Sequence, residues 1–145
     1  MNEFDYLKFA GILSFVASAM HVAIIFGGAE WYRFFGAGEA MATMAEQGLL
    51  RPTLMTLCIS FVLAIWGAYA WSAAGMLPEF PLLKPAIYLI TFVYLTRGAL
   101  GLIAPYISNN PQITQNSSVF WFWSSLICLA FGLVHLKGVM DKWYS

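Results

Sequence analysis

Residues 89–106, LITFVYLTRGALGLIAPY, decide the fold, because they form an apolar run that contains a single charged residue, Arg97. Such a run predicts a transmembrane helix, since about 20 residues rising 1.5 Å each cross a hydrocarbon core of roughly 30 Å. We place this span at about residues 82–104, and equivalent runs lie at about residues 7–28, 52–74 and 119–139. The sequence therefore predicts four membrane spans joined by three connectors.

The composition is that of a membrane protein. Hydrophobic residues make up 61% of the 145 positions and charged residues 10%, whereas soluble domains carry roughly 25% charged residues. The formal net charge is zero, so no basic surface is available for nucleic acid, and membrane lipids are the expected surroundings. We predict an all-α protein, an integral membrane four-helix bundle, whose residues 1–145 form a single transmembrane domain.

The first connector, between spans 1 and 2, differs from the other two because it is both aromatic and charged. Its segment EWYRFF, residues 30–35, has the content of an interfacial belt. The following segment GEAMATMAEQG places Met41 and Met44 opposite Glu39 and Glu46, which predicts a short interfacial amphipathic helix at about residues 38–47. Two interpretations stay open for it: a connector that fixes the spacing of the spans, or a lid over the mouth of the bundle.

The distribution of positive charge predicts the orientation, because Lys and Arg concentrate on the cytoplasmic side of membrane proteins. The side that carries both termini and the second connector has more of these residues than the opposite side. We therefore predict that both termini are cytoplasmic. The charges compared are Lys8, Lys84, Lys137 and Lys142 on the first side and Arg33 and Arg51 on the second.

Each span also carries a stripe of small or polar residues at helical spacing, which places the members of each stripe on one helix face. Small residues let the backbones of membrane helices approach closely, and hydroxyl groups form hydrogen bonds across the interface. The stripes therefore predict the faces that meet inside the bundle. They are Gly11, Ser14, Ser18 and His21; Thr53, Thr56, Ser60 and Gly67; Thr91, Tyr94, Arg97 and Gly101; and Ser125, Cys128, Gly132 and His135.

Arg97 is the strongest functional signal, because an arginine inside a span needs a partner, a water-filled cavity or a route to the interface. Counting from Lys84 places Arg97 about 20 Å along its helix, and counting from Lys8 places His21 at the same height. We therefore predict a polar pocket in the outer half of the bundle. Its candidate ligand-binding residues are Arg97, His21, Ser60, Tyr94, Arg51 and Glu30.

A structural role for Arg97 stays open beside this prediction. In that interpretation its charge is satisfied by Glu30, by another carboxylate of the first connector, or by backbone carbonyl groups. His21 likewise has an alternative role as a hydrogen-bonding packing residue.

Metal and cofactor sites find no support in the residue pattern. Counting along the helices separates His135 from His21 by about 15 Å or more, so the two histidines cannot ligate one haem together. Cys58 and Cys128 fall in separate apolar runs, where thiols usually pack as small hydrophobic groups. No nucleophile, phosphate-binding or paired-carboxylate motif is present, so we assign no metal, cofactor or catalytic residue.

The four short spans, the polar residue deep in the first span, the segment GGAEWYRFFGAG at residues 27–38 and YLTRGALG at residues 94–101 form one pattern. In this pattern, which covers most of the chain, the protein resembles the small DoxX-like inner-membrane proteins of bacteria. The resemblance implies a four-helix bundle in a bacterial inner membrane, and some members of that family are associated with quinone-linked redox enzymes. We carry no functional residue of the family over to this sequence.

Three functions fit these observations. The first is binding of a small anionic or amphipathic molecule, such as a lipid headgroup or a quinone-like compound, in the predicted pocket. The alternative is an accessory or structural subunit of a larger membrane complex, respiratory or redox, with no ligand of its own. The third is an enzyme that uses His21 as acid or base. A homo-oligomer or a membrane-complex partner is compatible with all three.

Overall fold

The computed structural model describes residues 5–144, with the side chain of Gln112 excepted, and this part of the chain is helical without a strand. Four of its helices are long and apolar enough to cross a membrane, which confirms the predicted all-α four-helix class. Helices α1, α4, α5 and α7 are the candidate spans, and the others are short. The helices are α1 (Tyr6–Gly27), α2 (Ala29–Phe34), α3 (Glu39–Glu46), α4 (Arg51–Ala73), α5 (Leu83–Ile107), α6 (Pro111–Thr114) and α7 (Ser118–Trp143).

The helix boundaries follow from local chemistry. The Asp5 side chain accepts hydrogen bonds from the amides of Leu7 and Lys8 at the start of α1. Ser117 does the same for the amide of Phe120 at the start of α7. The short helix predicted at about residues 38–47 is present as α3, whereas α2 and α6 were not predicted, because four to six residues show too little periodicity.

The long helices form two antiparallel pairs. Helix α1 packs on α4, where the Ser18 hydroxyl lies 2.9 Å from that of Ser60 and 2.7 Å from the carbonyl oxygen of Ser60. Helix α5 packs on α7 so closely that a Cβ atom on Gly98 would lie 2.7 Å from the backbone nitrogen of Leu129. We call these units the α1–α4 pair and the α5–α7 pair.

The predicted stripes face the inside of the bundle, either within these pairs or between them. Most of their members are buried, and the rest are half-buried. The prediction of the interhelical faces is therefore confirmed. The half-buried members are Thr53, His21, Arg97 and Cys128.

The two pairs meet mainly in the half of the bundle that contains the termini, which we call the terminal end. There a Cβ on Gly138 of α7 would lie 2.7 Å from Leu7 of α1, and the hydroxyl groups of Ser14 and Tyr94 lie 2.9 Å apart. A hydrophobic cluster that includes Ala10, Ile87 and Val139 fills the space around them. Toward the opposite half, which carries α2, α3 and α6 and which we call the connector end, a cavity separates the pairs.

Candidate ligand cleft between the helix pairs

The cavity has a volume of about 800 Å³ and is lined by all four long helices. This volume lies in the range of roughly 300–1,000 Å³ that is usual for small-molecule sites. Its wall is mostly apolar, which differs from the predicted polar pocket, and its polar groups are few. We call it the cleft. The residues that line it include Val16, Met20, His21, Phe35, Cys58, Ile59, Val62, Trp66, Tyr94, Arg97, Phe120, Ser124, Cys128 and Phe131.

Arg97 supplies the charge of the cleft. Its Nη1 donates to the Ser125 hydroxyl and its Nη2 to the Ser124 hydroxyl, both at 3.1 Å. Its guanidinium carbon lies 4.8 Å from the centre of the Trp121 ring, which is a cation–π contact. None of the ion pairs within residues 5–144 involves Arg97. Its partners in this part of the chain are therefore neutral.

This arrangement leaves the guanidinium with hydrogen-bonding capacity. Arginine has five N–H donors, and two of them are used on the serine hydroxyls. Gly101 leaves room for the Arg97 side chain because it has no side chain of its own. A Cβ at this position would collide with Nη1 of Arg97 and with the Ser125 hydroxyl. Arg97 thus lines the cleft while α7 holds its guanidinium, and three of the five N–H donors have no hydrogen-bond partner among the described residues.

His21 lines the same cleft from the α1–α4 pair. Its Nδ1 lies 2.7 Å from the carbonyl oxygen of Ala17. Because a carbonyl only accepts hydrogen bonds, Nδ1 carries the proton of that bond, and Nε2 of the neutral ring is an acceptor. The cleft therefore combines a donor, Arg97, and an acceptor, His21, from opposite helix pairs.

Aromatic rings form the floor of the cleft toward the terminal end. Tyr94 contacts Trp66 and Phe131 edge to face, with ring centres 5.1 and 5.5 Å apart. Its hydroxyl is bonded to Ser14, on the side of the terminal half. The floor consequently presents mainly ring surface to the cleft.

Three of the predicted ligand-binding residues do not line the cleft. Ser60 is buried against Ser18 between α1 and α4. Glu30, with a side chain that is 86% exposed, pairs with Arg33 at 3.2 Å, and Arg51 is exposed at the first residue of α4. The cleft does contain residues that the sequence interpretation assigned to packing, notably Cys58 and Cys128, or did not single out, such as Trp66 and Phe120. In a membrane span, cysteine, tryptophan and phenylalanine do not by themselves indicate a ligand-binding site.

The first connector reaches from the α1–α4 pair to the α5–α7 pair. Gly36, at φ +80°, lies against the Phe120 ring so closely that a Cβ would overlap it, and Gly38 packs on the Gln115 side chain. Phe35 and Phe120 line the connector end of the cleft. Only glycine combines this backbone conformation with such close contact. The connector therefore forms part of the wall of the cleft.

Arg33 holds the connector in shape. Its guanidinium lies 2.8 Å from a Glu39 carboxylate oxygen and 2.7 Å from one of Glu46, besides the pair with Glu30. Hydrogen bonding to these carboxylates raises the pKa of Arg33, and the hydrogen bond from Arg33 lowers the pKa of Glu39 below its ordinary value of 4.5. A lowered pKa means that folding stabilises the charged form of Glu39.

This shift predicts a pH effect that is confined to the connector. The contribution of Glu39 is present above its ordinary pKa and is lost as the pH falls through the lower pKa of the folded state. We expect the amide-exchange protection of α3 to fall by no more than a few-fold between about pH 5 and pH 3, because exposed ion pairs are weak. Hydrogen exchange measured by mass spectrometry checks this. In Glu39→Gln the α3 protection should lack this pH step, and an equally large step in that variant would contradict the assignment.

Comparison of the chain with family models, with curated proteins and with solved structures finds no match. The class of protein is therefore defined by its own fold and geometry. It is a multi-pass membrane protein with four apolar helices, in which a cleft with one arginine separates two helix pairs.

Proposed function

We propose that the protein binds a lipophilic molecule whose anionic or oxygen-bearing group contacts Arg97, such as a lipid headgroup or a quinone-like compound. The observation that supports this most strongly is an arginine within a span whose partners among residues 5–144 are two hydroxyl groups and an aromatic ring. The apolar wall would hold the rest of the molecule, and Nε2 of His21 would accept one hydrogen bond.

The energetics favour a ligand for Arg97. Arg97 lies ten residues before Ile107, the last residue of α5, and thus about 15 Å along the helix axis from the connector end. An arginine at the centre of a membrane helix costs roughly 3 kcal/mol on insertion scales. The two serine hydroxyls offset that cost in part, whereas an anionic oxygen would add the attraction between opposite charges, which is strong in a medium of low dielectric constant. An anionic or strongly accepting oxygen would therefore gain from the remaining donors.

The shape of the cleft supports entry from the lipid phase. Val16 and Met20 of α1, and Ile59 and Val62 of α4, line the cleft and are exposed apolar side chains. We propose that this exposed apolar lining opens toward the lipid. A lipophilic ligand could diffuse into it from the bilayer without crossing the polar connector.

A second hollow, whose lining combines apolar side chains with charged and polar ones, adjoins the cleft at the connector end and supports an amphipathic ligand. It has a volume of about 570 Å³ and shares Phe35, Phe120 and Ser124 with the cleft. Arg33, Glu39 and Gln115 contribute polar side chains to it. A molecule with one apolar and one polar part could occupy both spaces.

A thermal-unfolding screen of the purified protein in detergent tests this proposal. The panel should contain anionic lipids, a zwitterionic lipid, a fatty acid, a quinone and its hydroquinone, each against solvent alone. We expect at least one anionic or quinone-like compound to raise Tm in a saturable manner, since a ligand that binds only the folded state stabilises it. No saturable increase with any of these compounds, together with co-purification of a partner membrane protein, would instead support the accessory-subunit function.

We further propose that the protein resides in a bacterial inner membrane with both termini in the cytoplasm. The lysine distribution and the DoxX-like pattern support this. In a background in which Cys58 and Cys128 are replaced by alanine, single cysteines at Asn110 and Tyr144 should react with a membrane-impermeant maleimide from opposite sides. We expect only the Asn110→Cys variant to be labelled in intact cells. Labelling of both variants in intact cells would contradict the topology.

A further inference from the structure

His135 is a buried histidine with an unused hydrogen-bonding atom. The residue is 0% exposed in the C-terminal half of α7, and its Nδ1 lies 2.7 Å from the carbonyl oxygen of Phe131. That bond places the proton on Nδ1, so Nε2 of the neutral ring is an acceptor. Among the described residues, Nε2 of His135 is the buried side-chain nitrogen or oxygen atom that has no hydrogen-bond partner. Such atoms are costly, and native proteins usually satisfy them with another protein group or with ordered water.

A surplus donor lies in the same layer of the bundle. The His135 ring is stacked obliquely on the Tyr94 ring, with centres 5.0 Å apart, and the Tyr94 hydroxyl is bonded to the buried Ser14 hydroxyl. Two hydroxyl groups have two hydrogen atoms, of which their mutual bond uses one. This layer therefore holds one hydroxyl hydrogen that the Ser14–Tyr94 bond does not use. Beside it lies Nε2 of His135, an acceptor without a donor among the described residues.

We propose that one ordered water molecule binds between Nε2 of His135 and the hydroxyl pair of Ser14 and Tyr94. The water oxygen would accept the second hydroxyl hydrogen, and one water hydrogen would be donated to Nε2. This arrangement would give Nε2 a donor and the second hydroxyl hydrogen an acceptor. Buried waters typically make about three hydrogen bonds to groups that otherwise lack partners, which matches the polar groups gathered here.

The water site has a consequence for ligand choice. It keeps the Tyr94 hydroxyl engaged on the terminal side, so the cleft meets the ring of Tyr94 and not its hydroxyl. The polar group of a ligand then has its partners at Arg97 and His21, and the end that reaches the floor must be apolar. This consequence rests on the proposed function, whereas the water site does not depend on any ligand.

Water-edited nitrogen-15 NMR of the ligand-free protein in lipid bilayers tests the site. The chain has two histidines, so a His21→Gln background leaves His135 as the source of the imidazole signals. We expect magnetisation transfer from water protons to Nε2 of His135. Tyr94→Phe and Ser14→Ala should each reduce that transfer several-fold, because each removes one hydroxyl while Tyr94→Phe keeps the aromatic contacts.

Tyr88→Phe is the matched control, because the Tyr88 hydroxyl bonds to Tyr144 at the terminal end and takes no part in the layer. It should leave the water signal of His135 unchanged. Absence of water contact at Nε2 in the parent protein would overturn the proposal, and so would an unchanged signal in both Tyr94→Phe and Ser14→Ala. If either variant fails to fold, the parent measurement still decides. The ligand screen is run separately, so failure of one proposal leaves the other standing.

Discussion

Arg97→Gln is expected to leave the bundle folded and to weaken binding of the stabilising anionic or quinone-like compound by roughly 10- to 100-fold. Loss of a hydrogen bond to a charged group costs about 1.5–3 kcal/mol, and each 1.4 kcal/mol corresponds to about a factor of ten. At a ligand concentration about 100 times the native Kd, the stabilisation should fall from about 2.7 kcal/mol to roughly 0.4 kcal/mol when binding is 100-fold weaker. Thermal unfolding with and without the compound measures this loss.

The fold should tolerate this change because Arg97 has no carboxylate partner among residues 5–144 to leave behind. Glu30, one of the partners considered for a structural Arg97, is bonded to Arg33. Glutamine can still donate to the Ser124 or Ser125 hydroxyl. A large drop in Tm without ligand, together with no stabilisation of the native protein by any compound, would show that Arg97 is structural.

Two matched variants separate charge from geometry in the cleft. Arg97→Lys keeps the charge but removes the planar donor fork, so it should retain only part of the binding. His21→Gln replaces one polar group of the opposite helix pair and should weaken binding less than Arg97→Gln, because no formal charge at Arg97 is lost. If His21→Gln has the larger effect, the main polar contact of the ligand lies on α1.

Gly98→Leu is expected to cause the largest loss of stability. A Cβ on Gly98 would lie 2.7 Å from the Leu129 amide nitrogen and 2.9 Å from the Ser125 carbonyl oxygen, and both atoms belong to the backbone of α7. Side chains can rotate away from a new group, but these backbone atoms cannot move without separating the helices. Overpacking typically costs about 1–3 kcal/mol, and we expect the upper end of this range or more. Reversible unfolding in mixed detergent measures the change in free energy.

Ala99→Leu is the matched control, because Ala99 is the next residue of the same helix and is exposed on the bundle surface. A leucine there adds apolar area toward lipid and should change the free energy of unfolding by less than about 0.5 kcal/mol. Equal losses in the two variants would mean that the α5–α7 interface is not packed as described. Gly98→Ala should already be destabilising, since the collision begins at Cβ.

The sequence and the structure agree most closely on the spans. Apolar runs predicted helices at about 7–28, 52–74, 82–104 and 119–139, and the four long helices begin within one residue of these positions. Their ends differ more: α5 continues to Ile107 and α7 to Trp143. Polar residues flank these ends, and hydropathy alone does not show where the helical hydrogen bonds stop.

The candidate site was only partly predictable. Spacing from the terminal lysines placed Arg97 and His21 at one height, and the structure has both on one cleft. The same spacing could not show that Arg33 would gather Glu30, Glu39 and Glu46 on the connector. That cluster depends on the path of a loop, which residue spacing along the spans does not determine.

By itself the sequence determined the number of spans, the helix faces that meet, and the presence of one charge inside the bundle. These properties depend on the period of an α-helix and on the cost of polar groups in lipid, which act on neighbouring residues of one chain segment. Only the tertiary structure decided that the helices pair as α1 with α4 and α5 with α7, and that an apolar cleft opens between the pairs. The pairing depends on how closely glycine backbones approach across two helices, which is a property of contacts between distant residues.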